Sequence, residues 1–75
     1  MKLELGKFYR AKNGWVWCCF RLNPHRSEQC QADCVLTEEN SERVEYFFLD
    51  GRYDFAGNRE HTLIEEVPAG TKGLG

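Results

Sequence analysis

The chain has 75 residues, four cysteines and a formal charge of −2, which bounds it to one small domain near the size at which a hydrophobic core alone sustains folding. The charge is unevenly spread: residues 1–26 carry six basic side chains against Glu4, and residues 27–66 carry eleven acidic side chains against Arg43, Arg52 and Arg59. That balance excludes the strongly basic footprint of a sequence-independent DNA binder but leaves a local basic edge; no apolar run approaches a membrane span, and the start Met1-Lys2-Leu3-Glu4, without a basic-then-apolar leader, points to the cytoplasm.

Along the chain, residues 5–10 read as a first short strand, and Asn13-Gly14 after Ala11-Lys12 favours the positive φ of a tight hairpin turn. Residues 15–22 form the second strand, stopped by Asn23-Pro24 because proline lacks the donor a ladder needs. Residues 24–29 are a polar loop, with room for one helical turn over 27–32. The third strand, 31–37, places Ala32, Cys34 and Leu36 on one face and ends in the charged turn Glu38-Glu39-Asn40-Ser41. In the fourth, 43–49, Val44, Tyr46 and Phe48 alternate with Glu45, Phe47 and Leu49. Asp50-Gly51 is a second hairpin signal leading into 52–55, Ala56-Gly57-Asn58 is another turn, and 62–67 form the last strand. Five or six short strands at this spacing predict an all-β fold: a small, strongly bent antiparallel sheet or Src-homology-3-like barrel over residues 1–67, followed by a flexible Gly-rich tail over 68–75.

The second strand has two apolar faces, since Trp15, Trp17, Cys19 and Arg21 alternate with Val16, Cys18, Phe20 and Leu22. A chain this short builds one core. Val16, Cys18, Phe20 and Leu22 are assigned to it, while Trp15 and Trp17, with Phe47 and Leu49, are assigned to a contact surface closed by a partner or by a second copy in a homodimer.

The residues Leu5-Gly6-Lys7-Phe8-Tyr9-Arg10-Ala11-Lys12-Asn13-Gly14, then Asp50-Gly51-Arg52-Tyr53 with Gly57, and finally Leu63-Ile64-Glu65-Glu66-Val67 resemble small phage and prophage accessory proteins. Those proteins run Gly-Lys-Tyr-Tyr-Arg-Thr-Arg-Asp-Gly at the start, Gly-x-Tyr then Gly in the middle, and Leu-Ile-x-Glu-Trp at the end. The resemblance spans most of residues 3–67. Val67 stands where tryptophan is usual, and the cysteine-rich stretch 18–34 departs from the pattern. The resemblance implies the cytoplasm of a host cell and a protein that binds and inhibits a host factor, immune effectors included, or sequesters nucleotide immune signals.

Cys18, Cys19, His25, Cys30 and Cys34 have the chemistry of a zinc ligand set, but adjacent Cys18 and Cys19 point oppositely and Cys30-x-x-x-Cys34 is a loose spacing. The expectation is core or edge thiols without a metal cofactor; a bound zinc would fall to Cys19, His25, Cys30 and Cys34. A disulfide belongs to an oxidising compartment. No motif joins a cysteine nucleophile to a base and an orienting group, so no enzyme activity is expected, and His25 and His61, in polar segments, are expected in solvent. Aromatics beside arginines form either a stacking surface for nucleotides or a core with guanidinium covers. Most are assigned to the core, with Trp15 and Trp17 as the best exposed candidates.

The resemblance, together with the spare apolar face, implies a non-enzymatic phage or prophage accessory protein that binds a host protein and inhibits host defence, as an anti-CRISPR or similar factor, with Trp15, Trp17, Arg21, Arg43, Phe47 and Arg52 as candidate binding residues. The alternatives are a nucleotide-sequestering or nucleic-acid-binding module on the same aromatic and arginine residues, and a zinc-stabilised structural domain. Trp17→Ala and Arg21→Ala are expected to impair binding more than folding, and Phe20→Ala to destabilise the domain.

Overall fold

A computed structural model describes residues 1–38, 41–55 and 57–73. Its five strands are β1 (Phe8–Ala11), β2 (Val16–Leu22), β3 (Ala32–Leu36), β4 (Val44–Phe47) and β5 (Leu63–Val67), with single 3₁₀ turns at Glu28–Cys30 and Arg59–His61. They form one antiparallel sheet in the order β4-β3-β2-β1-β5. This is the all-β, strongly bent sheet expected from the strand spacing, with Src-homology-3-like connectivity. Residues 52–55 are not a sixth strand. No helix among the described residues is long and apolar enough to cross a membrane.

Two turns of one design shape the sheet. In the first, Ala11 N donates to Trp15 O at 2.8 Å and Gly14 N to Ala11 O at 2.9 Å; in the second, Phe48 N donates to Arg52 O at 2.9 Å and Gly51 N to Phe48 O at 3.0 Å. Each places glycine last in a three-residue loop, at φ 90° for Gly14 and 94° for Gly51, where a side chain is disfavoured. Each also uses the preceding acid or amide: Asn13 Oδ1 accepts from Trp15 N at 3.0 Å, and Asp50 Oδ1 from Arg52 N at 3.1 Å. The second turn closes the bent sheet, because Gly51 O accepts from Leu63 N at 2.9 Å and Leu49 O from Leu3 N at 2.7 Å.

Ser41 N donates to Glu38 O in the expected charged turn; Glu39 and Asn40 of that turn, Ala56 of Ala56-Gly57-Asn58, and Leu74 and Gly75 of the tail lie outside the described residues. In the tail, Thr71 N donates to Pro68 O, and Gly73 lies so close to β2 that a Cβ there would be 3.2 Å from Val16 N.

The interior overturns most of the face assignment made for the second strand: Val16 is buried as expected, but the opposite face is the one that forms the core. Trp17, Cys19 and Phe47 have no solvent exposure, whereas Phe20 is 43% exposed. Trp17 and Phe47 pack edge to face at 5.5 Å, and Tyr9, Cys34, Leu36, Tyr53 and Leu63 complete the same core. A small sheet closes over one face, and enclosing the largest rings removes the most apolar area from water. Strict alternation also fails: β2 has a bulge at Phe20, with Cys19 opposite Cys34 but Arg21 opposite Asp33. The extra residue moves Arg21 outward and pairs Leu22 with buried Ala32. His61 is a second correction, since it is 5% exposed and packed against Trp15, Trp17 and Tyr53. The imidazole fills the end of an aromatic core to which the Arg59–His61 turn delivers it.

Candidate functional site

The outer face of the sheet is built by register. Phe8 is opposite Cys18, Cys18 opposite Val35, and Val35 opposite Val44, so one apolar row crosses four strands. Paired residues share a face. Val44 is 45% exposed, and burial pushes the Cys18 thiol up, leaving it neutral within an apolar row. Phe20 at the bulge and Tyr46 on β4 extend the patch, and each is nearly half exposed.

Beside it runs a charged row in which Arg21 is opposite Asp33 and Asp33 opposite Tyr46. Asp33 is buried on this outer face because two arginines cover it: Arg26 Nη2 lies 2.9 Å from Oδ1, without hydrogen-bond alignment, and Arg21 Nε lies 3.8 Å from Oδ2. The Arg26 guanidinium also lies over the Tyr46 ring at 5.5 Å, and that of Arg21 over Phe20 at 5.7 Å. Gln31 holds Arg26 in place, its Nε2 donating to Arg26 O at 2.9 Å and to Pro24 O at 3.2 Å. The loop after β2 is thereby folded onto the sheet as a charged rim to the apolar row.

The six candidate binding residues do not converge. Trp17 and Phe47 are core, so the surface argument for a covering second copy falls away with them. Trp15 is half-buried at the end of the core, 5.4 Å from His61, with the Arg43 guanidinium over it at 5.5 Å. Arg43 is tied to Glu45 at 3.0 Å, and Glu45 accepts the Tyr53 hydroxyl at 2.6 Å. Burial, then that bond, pushes the Tyr53 phenol up to about 12. Arg52 lies over Phe48 at 4.2 Å and holds Asp50 at 2.9 Å. Only Arg21 belongs to the outer face. The expectation that arginines cover aromatic rings does hold, in four places.

Of the possible zinc ligands, the fold pairs Cys19 with Cys34 across β2 and β3, in the core, while His25 is exposed in the loop. The Cys34 thiol is pushed up by its hydrogen bond to Cys19 and by burial, which holds it as a neutral donor. Among the described residues no three His, Cys, Asp or Glu side chains are grouped as a metal would require.

Phe8, Cys18, Phe20, Val35, Val44 and Tyr46 were not chosen as site residues from the sequence. The Asn13-Gly14 turn was the available signal, since closing that hairpin sets Tyr9 opposite Trp17 and therefore Phe8 opposite Cys18 on the other face. Compared with protein-family models, curated proteins and solved structures, the chain has no match.

Proposed function

We propose that this chain is a non-enzymatic binding protein that captures a host protein stoichiometrically on the outer face of its sheet. The observation that carries the reading is the register-aligned row Phe8, Cys18, Val35 and Val44, extended by the exposed Phe20 and Tyr46. A contiguous apolar patch rimmed by charge is the ordinary form of a protein contact surface. Arg21 and Arg26 beside Tyr46 and Phe20 supply the residue types that most often dominate such contacts. In the phage or prophage setting that the opening and closing motifs resemble, capture blocks a host factor, with immune effectors the favoured class.

The test is capture from host lysate in high salt with nuclease, using the wild type, Val44→Asp and Tyr46→Ala. Each substitution is expected to weaken capture at least tenfold, about 1.4 kcal/mol, while the unfolding midpoint stays near that of the wild type. Capture unaffected by both substitutions removes the outer face from the function. Sedimentation of the purified chain provides the second arm: a dimer dissociated by Val44→Asp would assign the face to self-association and overturn host capture.

A further inference from the structure

A separate cleft of about 430 Å³ opens where three stretches of chain meet. Lys12 reaches it from the β1–β2 turn, Arg52 from the turn after β4, and Arg59 from the 3₁₀ turn before β5. None of the outer-face residues lines it. These stretches are bonded to one another: Lys12 N donates to Thr62 O at 3.0 Å, Asn13 N to Glu60 O at 3.0 Å, and Tyr53 N to Thr62 Oγ1 at 3.3 Å. The cations are therefore presented by a framework already in place, which lowers the ordering cost of binding.

The charge of the cleft runs against that of the molecule. The whole chain is −2, yet three cations line this one space with Asp54 as the lining acid. Asp50 holds Arg52 through Nε, whereas Lys12 and Arg59 have no carboxylate partner among the described residues. Like charges gathered without partners favour an anion, and guanidinium forks beside an ammonium match the oxygens of a phosphate.

Size and shape narrow the class. The volume lies in the range of small-molecule sites, roughly 300–1,000 Å³, and exceeds what one inorganic phosphate fills. Phe48, with the Arg52 guanidinium 4.2 Å from its ring centre, contributes a planar platform of the kind on which bases stack. Thr62 Oγ1 accepts a bond from Tyr53 N, which leaves its proton to donate, and Asp54 provides an acceptor for a sugar hydroxyl or a base amine.

We infer that this cleft binds a free nucleotide, its phosphate held by Lys12 and Arg59 with Arg52, and its base lying against the Arg52–Phe48 platform. The inference is independent of host-protein capture, because the two sites share no residue.

The test is calorimetric titration of the purified chain with the 5′-monophosphates of adenosine, guanosine, cytidine and uridine, with inorganic phosphate and with a single-stranded oligonucleotide. Saturable binding of at least one mononucleotide is expected, tighter than that of inorganic phosphate. Arg59→Ala and Lys12→Ala should each weaken it at least tenfold with unchanged unfolding midpoints. Lys7→Ala removes an equal charge from the Glu66 ion pair, outside the cleft, and should leave the affinity unaltered. The inference is overturned if no mononucleotide saturates, if only the oligonucleotide or inorganic phosphate binds, if Lys7→Ala weakens binding as much as Arg59→Ala does, or if the two cleft variants bind like the wild type.

Discussion

The two faces of the sheet differ far less in composition than in fate. Inward, Trp17, Cys19, Ala32, Cys34, Leu36 and Phe47 are sealed from water; outward, Cys18, Phe20, Val35, Val44 and Tyr46 are apolar too, yet half-buried or exposed. The inner face carries the larger rings, Tyr9 of β1 among them, and receives Tyr53 and His61 from outside the strands. The outer face meets its own arginines, the loop after β2 and, beside the buried Val16, Gly73 of the tail. Apolar character alone therefore does not mark the inside of a sheet. The inside is the face over which the chain closes, and the other apolar face stays partly exposed.

Paired truncations at two β2 positions provide the largest test of that contrast. Trp17→Ala is expected to cost about 3–5 kcal/mol through lost burial and a residual cavity, a large part of the roughly 5–15 kcal/mol that holds a domain together. Phe20→Ala is expected to cost no more than about 1 kcal/mol. Urea unfolding midpoints of the two variants decide it, and the opposite order would invert the faces.

The seam that closes the inner face comes next. A Cβ on Gly51 would sit 2.8 Å from the Met1 side-chain methyl and 3.2 Å from both Leu63 Cβ and Leu63 O, on a residue with φ of 94°. Gly51→Ala should therefore cost about 1–3 kcal/mol, read as a lowered midpoint. An unchanged midpoint would mean that the turn yields without opening the core.

The smallest effect sharpens the polar edge of the core. Tyr53 is neutral in the fold and its phenol is pushed up to about 12 from the ordinary 10, by burial first and then by its bond to Glu45. Its contribution to stability is fully present below pH 10 and is lost as the pH rises toward 12, where the unfolded chain ionises more readily than the folded one. Across that window Tyr53→Phe should lose less stability than the wild type, although at neutral pH it lacks one hydrogen bond worth about 1 kcal/mol. Burial also pushes up Tyr9, which is unaltered in both proteins and contributes equally to each slope. Parallel slopes for the two proteins would place the Tyr53 hydroxyl in water.

Much of the local structure was legible because it depends on neighbours in the chain. Asn13-Gly14 and Asp50-Gly51 supply a short polar side chain followed by a residue free to take positive φ, and both made the turns expected of them. The alternation set Ala32, Cys34 and Leu36 on one face, and the fold turns that face inward. The candidate site was much less legible: of the six residues chosen, Arg21 alone lies on the outer face, and its position depends on the bulge at Phe20, which no local pattern announces. His61 misled because its own segment is polar, while its surroundings come from β2 and the chain after β4.

Strands, the turns between them and the all-β class follow from local sequence, because backbone preference, glycine freedom and side-chain period act within a few residues. Which apolar face is enclosed and which cations share a cleft emerge when distant segments pair. Those outcomes depend on long-range pairing: closure at Gly51 and Leu63 makes one side the interior, and the turns carrying Lys12, Arg52 and Arg59 meet only after β5 has returned to pair with β1.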